Sequence, residues 1–398
     1  MQSPGTHRLL RLTRRAPFAM FALAGFAPVL AGQTGQALIV SPTFQSWQLG
    51  DAVPVDSLRI KSATQMSLPF LLQHTLGSRW RASASGAVFS SRITSEGSVS
   101  GTRELTGITD VRLRASGRII GDFLQLTLGL NVPTGGSGLS NTENEVVRVT
   151  AAPALGAQVG VPGAGFGGTA GLIAARTAGP WALALGAAVE QRGTYSPIEA
   201  VIAGRNARTE LVPGSTVHVS IGADRLLGEN RLTIGLLGDV YASDEVRSIV
   251  DGRTLTDTYQ LGPTGLATVS LQINSSRIRD LVLQVSDRFR SSFKDGAGAT
   301  VAGSSGSYLE VSGQGTVGSV GRPSLLLGLD LRRHSGLPVD NAFIGAGLTA
   351  GGATIGLSLP VGAMEWRPSV RFSQGNLKTE KLTTTITSIT AGLTITGR

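Results

Sequence analysis

The chain contains no cysteine, so whatever holds its 398 residues together is not a disulfide. Charged residues make up only 15% of it, below the roughly 25% usual for soluble domains. Aromatics are equally thin at 5%. No run of Lys and Arg interleaved with aromatics occurs after the first segment, which argues against a nucleic-acid partner. The four histidines, His7, His74, His218 and His334, have no metal-ligand spacing, and no cofactor motif is present. Beyond the N-terminal segment, no apolar run approaches the roughly 20 residues that a spanning helix needs.

That segment reads as a secretory signal over residues 1–31. Arg8, Arg11, Arg14 and Arg15 supply a positive start, Ala16 to Leu30 an apolar core, and Val29-Leu30-Ala31 a small-residue cleavage site. The net charge of +9 falls to +5 without those four arginines, a mild excess. Export without disulfides calls for another means of cohesion, and a sheet closed by hydrogen bonds is one.

What is abundant is glycine, 54 residues with no collagen-like period, and two-residue alternation. Val111, Leu113, Ala115, Gly117 and Ile119 alternate with Arg112, Arg114, Ser116 and Arg118. After Gly121-Asp122, Leu124, Leu126, Leu128, Leu130 and Val132 alternate with Gln125, Thr127, Gly129 and Asn131. Two arms of period two joined by a tight turn predict an antiparallel hairpin. Each arm has about the ten residues that cross a bilayer as a tilted strand.

The pattern recurs along the chain. Trp181, Leu183 and Leu185, then Val217, Val219 and Ile221, then Leu325, Leu327, Leu329 and Leu331 each form an apolar face opposite a polar one. Short connections at 77–78, 121–122, 177–180, 225–230, 274–279 and 321–323 alternate with long ones at 94–104, 133–144, 193–209, 242–255 and 291–307. A further loop is expected over 51–61. Residues 145–163, interrupted by Pro153 and Pro162, read either as one irregular strand or as a segment folded inward.

Short turns at one rim and long loops at the other predict an all-β fold: a transmembrane, antiparallel, up-and-down β-barrel over residues 32–398. About 14 strands are expected, in a range of 12 to 16, with short periplasmic turns and long extracellular loops. In hydrocarbon every backbone N–H and C=O must be paired within the protein, and closure does this without leaving an edge. Trp80 and Trp181 lie beside short turns and suit a periplasmic aromatic belt. Tyr195, Tyr241 and Phe293 are the candidates for an outer one.

The run Leu105-Thr106-Gly107-Ile108-Thr109-Asp110-Val111-Arg112-Leu113, followed by Leu126 to Val132 and Pro133-Thr134-Gly135, resembles a pattern found in outer-membrane barrels of the meta-pathway phenol-degradation group. In architecture these are distant relatives of the fatty-acid and aromatic-hydrocarbon transporters. The resemblance implies a conduit for small, often hydrophobic solutes in the outer membrane of a Gram-negative cell envelope. It also implies insertion by the barrel-assembly machinery. The closing Thr394-Ile395-Thr396-Gly397-Arg398 lacks the terminal aromatic common in that machinery's substrates, which calls for a variant or internal signal.

Alternation places one set of residues in the lumen as a candidate solute path. Its cations are Arg112, Arg114, Arg118, Arg192, Arg231, Arg288, Arg290, Arg332, Arg367 and Arg371. Its acids are Asp110, Glu190, Asp239, Asp330 and Glu365, with Asp224 and Glu310 on the same face. Two readings are open. The lumen is biased toward anions, since Arg forks suit carboxylates and phosphates; or the charges pair across strands and fill a narrow barrel, structural ion-pair networks being a common source of clustered charge.

His218, between Thr216 and Ser220, reads as a hydrogen-bonded lumen residue rather than a base, and nothing singles out a catalytic His–Ser pair. No enzymatic activity is expected. Asp244-Glu245 with Asp251, and the run from Asn141 to Glu145, are loop acids that could bind Ca²⁺ or stay merely solvated. The functional expectation is a porin-like channel for small hydrophobic or anionic solutes, with outer-membrane lipid as its surroundings. The alternative is a structural or adhesive barrel with a salt-bridge-packed lumen and no conductance. A secreted soluble β-protein is a further rival.

Overall fold

A computed structural model describes residues 36–55, 57–202, 205–275, 278–302, 304–319, 322–336, 347–379 and 382–397. The signal segment expected over 1–31 lies outside the described residues. The chain opens with β1 (Gln36–Val40) and β2 (Thr43–Val55), one strand interrupted at Ser41-Pro42, where proline has no N–H to give to a ladder. Then come β3 (Leu58–Leu76), β4 (Trp80–Ser95), β5 (Gly101–Ile108), β6 (Val111–Ile120) and β7 (Leu124–Val132). A helix follows, α1 (Asn141–Thr150). The chain resumes as strand in β8 (Gly167–Ala178), β9 (Trp181–Arg192), β10 (Tyr195–Ile202), β11 (Arg205–Val212), β12 (Thr216–Leu227) and β13 (Asn230–Tyr241). Next are β14 (Asp244–Val250), β15 (Arg253–Tyr259), β16 (Thr264–Ile273), β17 (Ile278–Arg290) and β18 (Gly306–Val317). The last four are β19 (Ser324–Ser335), β20 (Gly347–Val361), β21 (Met364–Lys378) and β22 (Thr383–Gly397).

Each wall strand pairs antiparallel with the next, and β22 pairs back onto β1 and β2, which in turn pair with β3. The sheet is therefore closed. With β1/β2 and β5/β6 each counted as one interrupted strand, the barrel has 16, two more than the 14 expected and at the top of the expected range. No edge is left in the wall, which is the condition for placing a sheet in hydrocarbon.

The register separates the two faces. Ser83, Arg114, Gly129, Thr169, Glu190, Thr216 and Tyr241 stand opposite one another across successive strands. One residue along, the row is Ala82, Ala115, Leu128, Ala170, Val189, Val217 and Val240. Leu128, Val189, Val217 and Val240 are exposed although they are large and apolar. So are Leu185, Ile221, Leu236, Leu329, Leu331, Ile355 and Phe372 around the rest of the wall. A water-soluble sandwich would bury that face, whereas a barrel turns it to lipid.

Several expected loops are instead strand. The 51–61 and 94–104 connections are the outward ends of the β2–β3 and β4–β5 hairpins. Those at 193–209 and 242–255 are the hairpins β10–β11 and β14–β15, joined in a separate four-stranded sheet beyond the barrel. Polar composition suggested loops there, but strands paired only above the membrane need no apolar face. The outer aromatic belt also needs correcting: Tyr241 is on the inner face and contacts Thr264 through its hydroxyl, at 3.0 Å. Trp80 and Trp181 do flank short turns on the outer face, and the Arg225 guanidinium lies 5.5 Å from the Trp181 ring.

Candidate functional site

The apolar core of this molecule is inside the barrel. Trp47, Leu49, Val53, Ile60, Phe89, Ile93 and Leu105 project inward from β2–β5 and pack against Val146, Val149, Ala152, Leu155 and Val159 of the segment between β7 and β8. That segment, residues 133–166, leaves the long-loop rim and lies against the inner wall. Of the two readings of 145–163, the inward fold is the one observed, and it begins as a helix. The helix starts because Ser140 caps it: Glu143 N–H donates to Ser140 Oγ at 3.3 Å, and Ser140 N–H donates to the Glu143 carboxylate at 2.9 Å.

Two glutamines dock the segment. Gln45 and Gln65, opposite each other on β2 and β3, turn their amides onto its backbone as a further strand would. Gln65 donates to Val159 O at 2.7 Å and accepts from Val159 N–H at 2.9 Å. Gln45 does the same with Gly156 O at 3.3 Å and Gln158 N–H at 2.9 Å. The Trp47 indole donates to Leu155 O at 2.8 Å.

Asp110 holds both ends of the insertion. Its carboxylate accepts from Gly135 N–H at 2.8 Å, Ala164 N–H at 2.7 Å and Asn131 Nδ2 at 2.8 Å. Its own N–H donates to Pro162 O at 3.0 Å. Thr134 Oγ1 accepts from Val111 N–H at 2.9 Å and donates to Thr109 O at 3.0 Å. Gly135 has no room for a side chain, since a Cβ there would stand 2.2 Å from Pro162 O. The motif that carried the family resemblance is therefore the anchor of the luminal segment, and Asp110, 7% exposed, is part of that anchor rather than of an open surface.

The other candidate residues share the inner face by register and fall into separate groups. At mid-height Asp330 accepts from Arg371 through two bonds, at 2.8 and 2.6 Å, and lies 3.8 Å from Arg332 Nε. Across the lumen Glu190 lies 3.4 Å from Arg192 and 3.3 Å from His218, whose Nδ1 is 2.7 Å from Asp239. His218 is thus hydrogen-bonded, to the Asp239 carboxylate. Near the short-turn rim Arg231 pairs with Asp224, Arg118 with Asp122, and Arg367 with Glu365 at 3.0 Å. Among the described residues, no carboxylate is within ion-pair distance of Arg112, Arg114, Arg288 or Arg290.

Beside the inserted segment the lumen is not filled. A cavity of about 490 Å³ lies between Pro153-Gly156 and the inner faces of β16–β19, lined by Thr268, Ser286, Arg288, Arg290, Tyr308, Glu310 and His334. A second, of about 360 Å³, shares Gly156, Tyr308 and Glu310 with the first and runs on to Asp330, Arg332, Thr354 and Arg371. Gly156 forms the narrow point: its φ is +63°, and a Cβ there would stand 2.9 Å from Arg332 Nη1. A smaller recess of about 180 Å³ lies against the opposite wall at Arg112, Arg114, Glu190 and Arg192. Sequence reading missed Tyr308 and His334 as site residues, although both alternate in step with Glu310 and Arg332.

The loop acids have other employment. Glu143 closes the helix cap, and Glu145 is ion-paired with Arg103. Asp244 accepts from Gly214 N–H at 2.7 Å, while Glu245 holds Arg247 at 2.6 Å and raises the pKa of that guanidinium. Above the barrel, burial pushes the Tyr195 phenol upward from its ordinary value. No group of His, Asp and Glu that could hold a metal occurs among the described residues.

The fold is a transmembrane β-barrel. No family model matches the chain, and no curated protein matches it. Solved structures do resemble it. An outer membrane channel from Pseudomonas putida F1 aligns at 14% identity and a TM-score of 0.37, covering 66% of this chain and 91% of that one. A mutant of the TodX monoaromatic hydrocarbon channel aligns at 11% identity and a TM-score of 0.45, covering 94% and 92%. The CymD monoaromatic hydrocarbon channel aligns at 8% identity and a TM-score of 0.40, covering 95% and 92%.

Proposed function

We propose that the chain is an outer-membrane channel for the passive passage of small solutes, assembled among outer-membrane lipids by the barrel-assembly machinery. The observation that carries this reading is the pair of adjoining cavities beside the inserted segment. They run from the long-loop side, past the Gly156–Arg332 narrowing, toward the short-turn side. A wall that pairs its own backbone needs no such space, and an apolar plug of 34 residues would fill it if occlusion were its purpose. The solute path follows the inner arginines and acids of β16–β21, with Arg112, Arg114 and Arg192 facing it from the other wall.

The rival is a barrel sealed by its ion pairs, and the bidentate Arg371–Asp330 contact is the feature that favours it. Liposome swelling separates the two. Vesicles carrying the folded protein are expected to swell in isosmotic arabinose and small organic anions, and more slowly in disaccharides. No swelling in any of these solutes would leave the sealed barrel as the reading.

A further inference from the structure

We infer that the larger luminal cavity is a binding site for a small organic carboxylate with an apolar body, its charge seated on Arg288 and Arg290. This rests on the channel reading for its role in transport, though not for the binding itself. Arg288 and Arg290 are two residues apart on β17 and share the inner face, so both guanidinium groups serve the same cavity. Neither has a carboxylate within ion-pair distance among the described residues. Arg371, by contrast, is already committed to Asp330. Two open forks on one wall form a receptor for a carboxylate, whose two oxygens match guanidinium geometry.

A second observation points to the same place. His334 is 3% exposed, and neither of its ring nitrogens has a hydrogen-bond partner among the described residues. A buried imidazole bears at least one N–H, and leaving such a donor unmet is unfavourable. His334 lines the cavity, and the Tyr308 ring meets it edge-on at 4.0 Å, fixing its plane. The Tyr308 hydroxyl is spent on Glu310 at 2.8 Å, and Glu310 stands opposite Arg332 in the ladder. The acid in the cavity is thus engaged by its neighbours, while the unpartnered histidine lies in the lining with both ring nitrogens closed to solvent.

The remainder of the lining sets the body of the ligand. Leu266 and Pro153 contribute apolar surface to the same cavity. A volume of about 490 Å³ lies within the range of small-molecule sites, and such sites join an apolar lining to a few convergent polar groups. Inorganic anions would use the arginines and waste the apolar wall. Neutral hydrocarbons would leave the arginines unmet.

Calorimetric titration of the full-length chain, folded in detergent, tests this with sodium benzoate and with benzamide, the uncharged molecule of the same shape. Benzoate is expected to bind saturably at one site and benzamide at least about tenfold more weakly, since hydrogen bonds between two charged partners are stronger than those to a neutral amide. The R288Q/R290Q double variant is expected to lose the preference. Leu266→Trp, which fills the cavity and leaves both arginines, is expected to abolish binding while heat-modifiable migration shows the barrel folded. Equal binding of benzoate and benzamide, no benzoate binding by the folded wild type, or undiminished binding in folded Leu266→Trp would overturn the site. Failure of the channel reading looks different: benzoate binds, and vesicles do not swell.

Discussion

At the scale of single residues, Asp110 and Gln65 decide whether the luminal segment stays docked. Asp110→Ala strands the Gly135 and Ala164 N–H groups and removes three charge-assisted bonds. The expected loss is about 3 kcal/mol or more from the docked state. Limited trypsin digestion checks it, with cleavage at Arg148 expected in the variant and slow in the wild type. Gln65→Leu leaves the buried N–H and C=O of Val159 unpaired and is expected to cost about 2–3 kcal/mol. A urea series monitored by Trp47 fluorescence measures it, and an unchanged midpoint would contradict the docking role. The two-residue alternation of charged and apolar positions was readable in the sequence, because successive side chains of a strand point to opposite faces of its sheet. What single residues do there was not readable. Asp110 carries the same inward charge as Asp330 in the sequence, yet one anchors a loop and the other pairs with Arg371, a distinction made by partners up to 54 residues away.

At the scale of elements, the insertion explains a local departure from two-residue alternation. β2, β3 and the outward part of β4 did not alternate cleanly, since Trp47, Leu49, Phe89 and Ile93 are apolar on the face that should be polar. A strand apolar on both sides has something covering each side, here lipid without and α1 with its sequel within. That was the available signal for a plug contributed by the middle of the chain. The helix itself was hidden by its short length and by Pro153 beyond it, though Ser140-Asn141-Thr142-Glu143 is a capping box. Ser140→Ala is expected to cost about 1 kcal/mol of helix stability. Replacing residues 137–162 by a short Gly/Ser linker is expected to raise single-channel conductance several-fold. It should also create dye-binding apolar surface at Trp47, Phe89 and Ile93. Conductance equal to the wild type would mean that the segment does not define the path.

At the scale of the whole molecule, the barrel class and the alternation of short and long connections were legible, because hydrocarbon leaves so few alternatives for an extended backbone. The strand number was not: interruptions at Ser41-Pro42 and Thr109-Asp110 and a glycine-rich β20 obscure individual strands without opening the wall. The extramembrane sheet was likewise hidden, because no bilayer imposes a pattern on it. The central claim is that a water-accessible path passes through this closed wall beside its inserted segment. Planar-bilayer recording of the purified, heat-modifiable protein tests that most directly. Discrete, reproducible conductance steps in potassium chloride are the predicted result, whereas membranes that stay silent with folded protein inserted would contradict it.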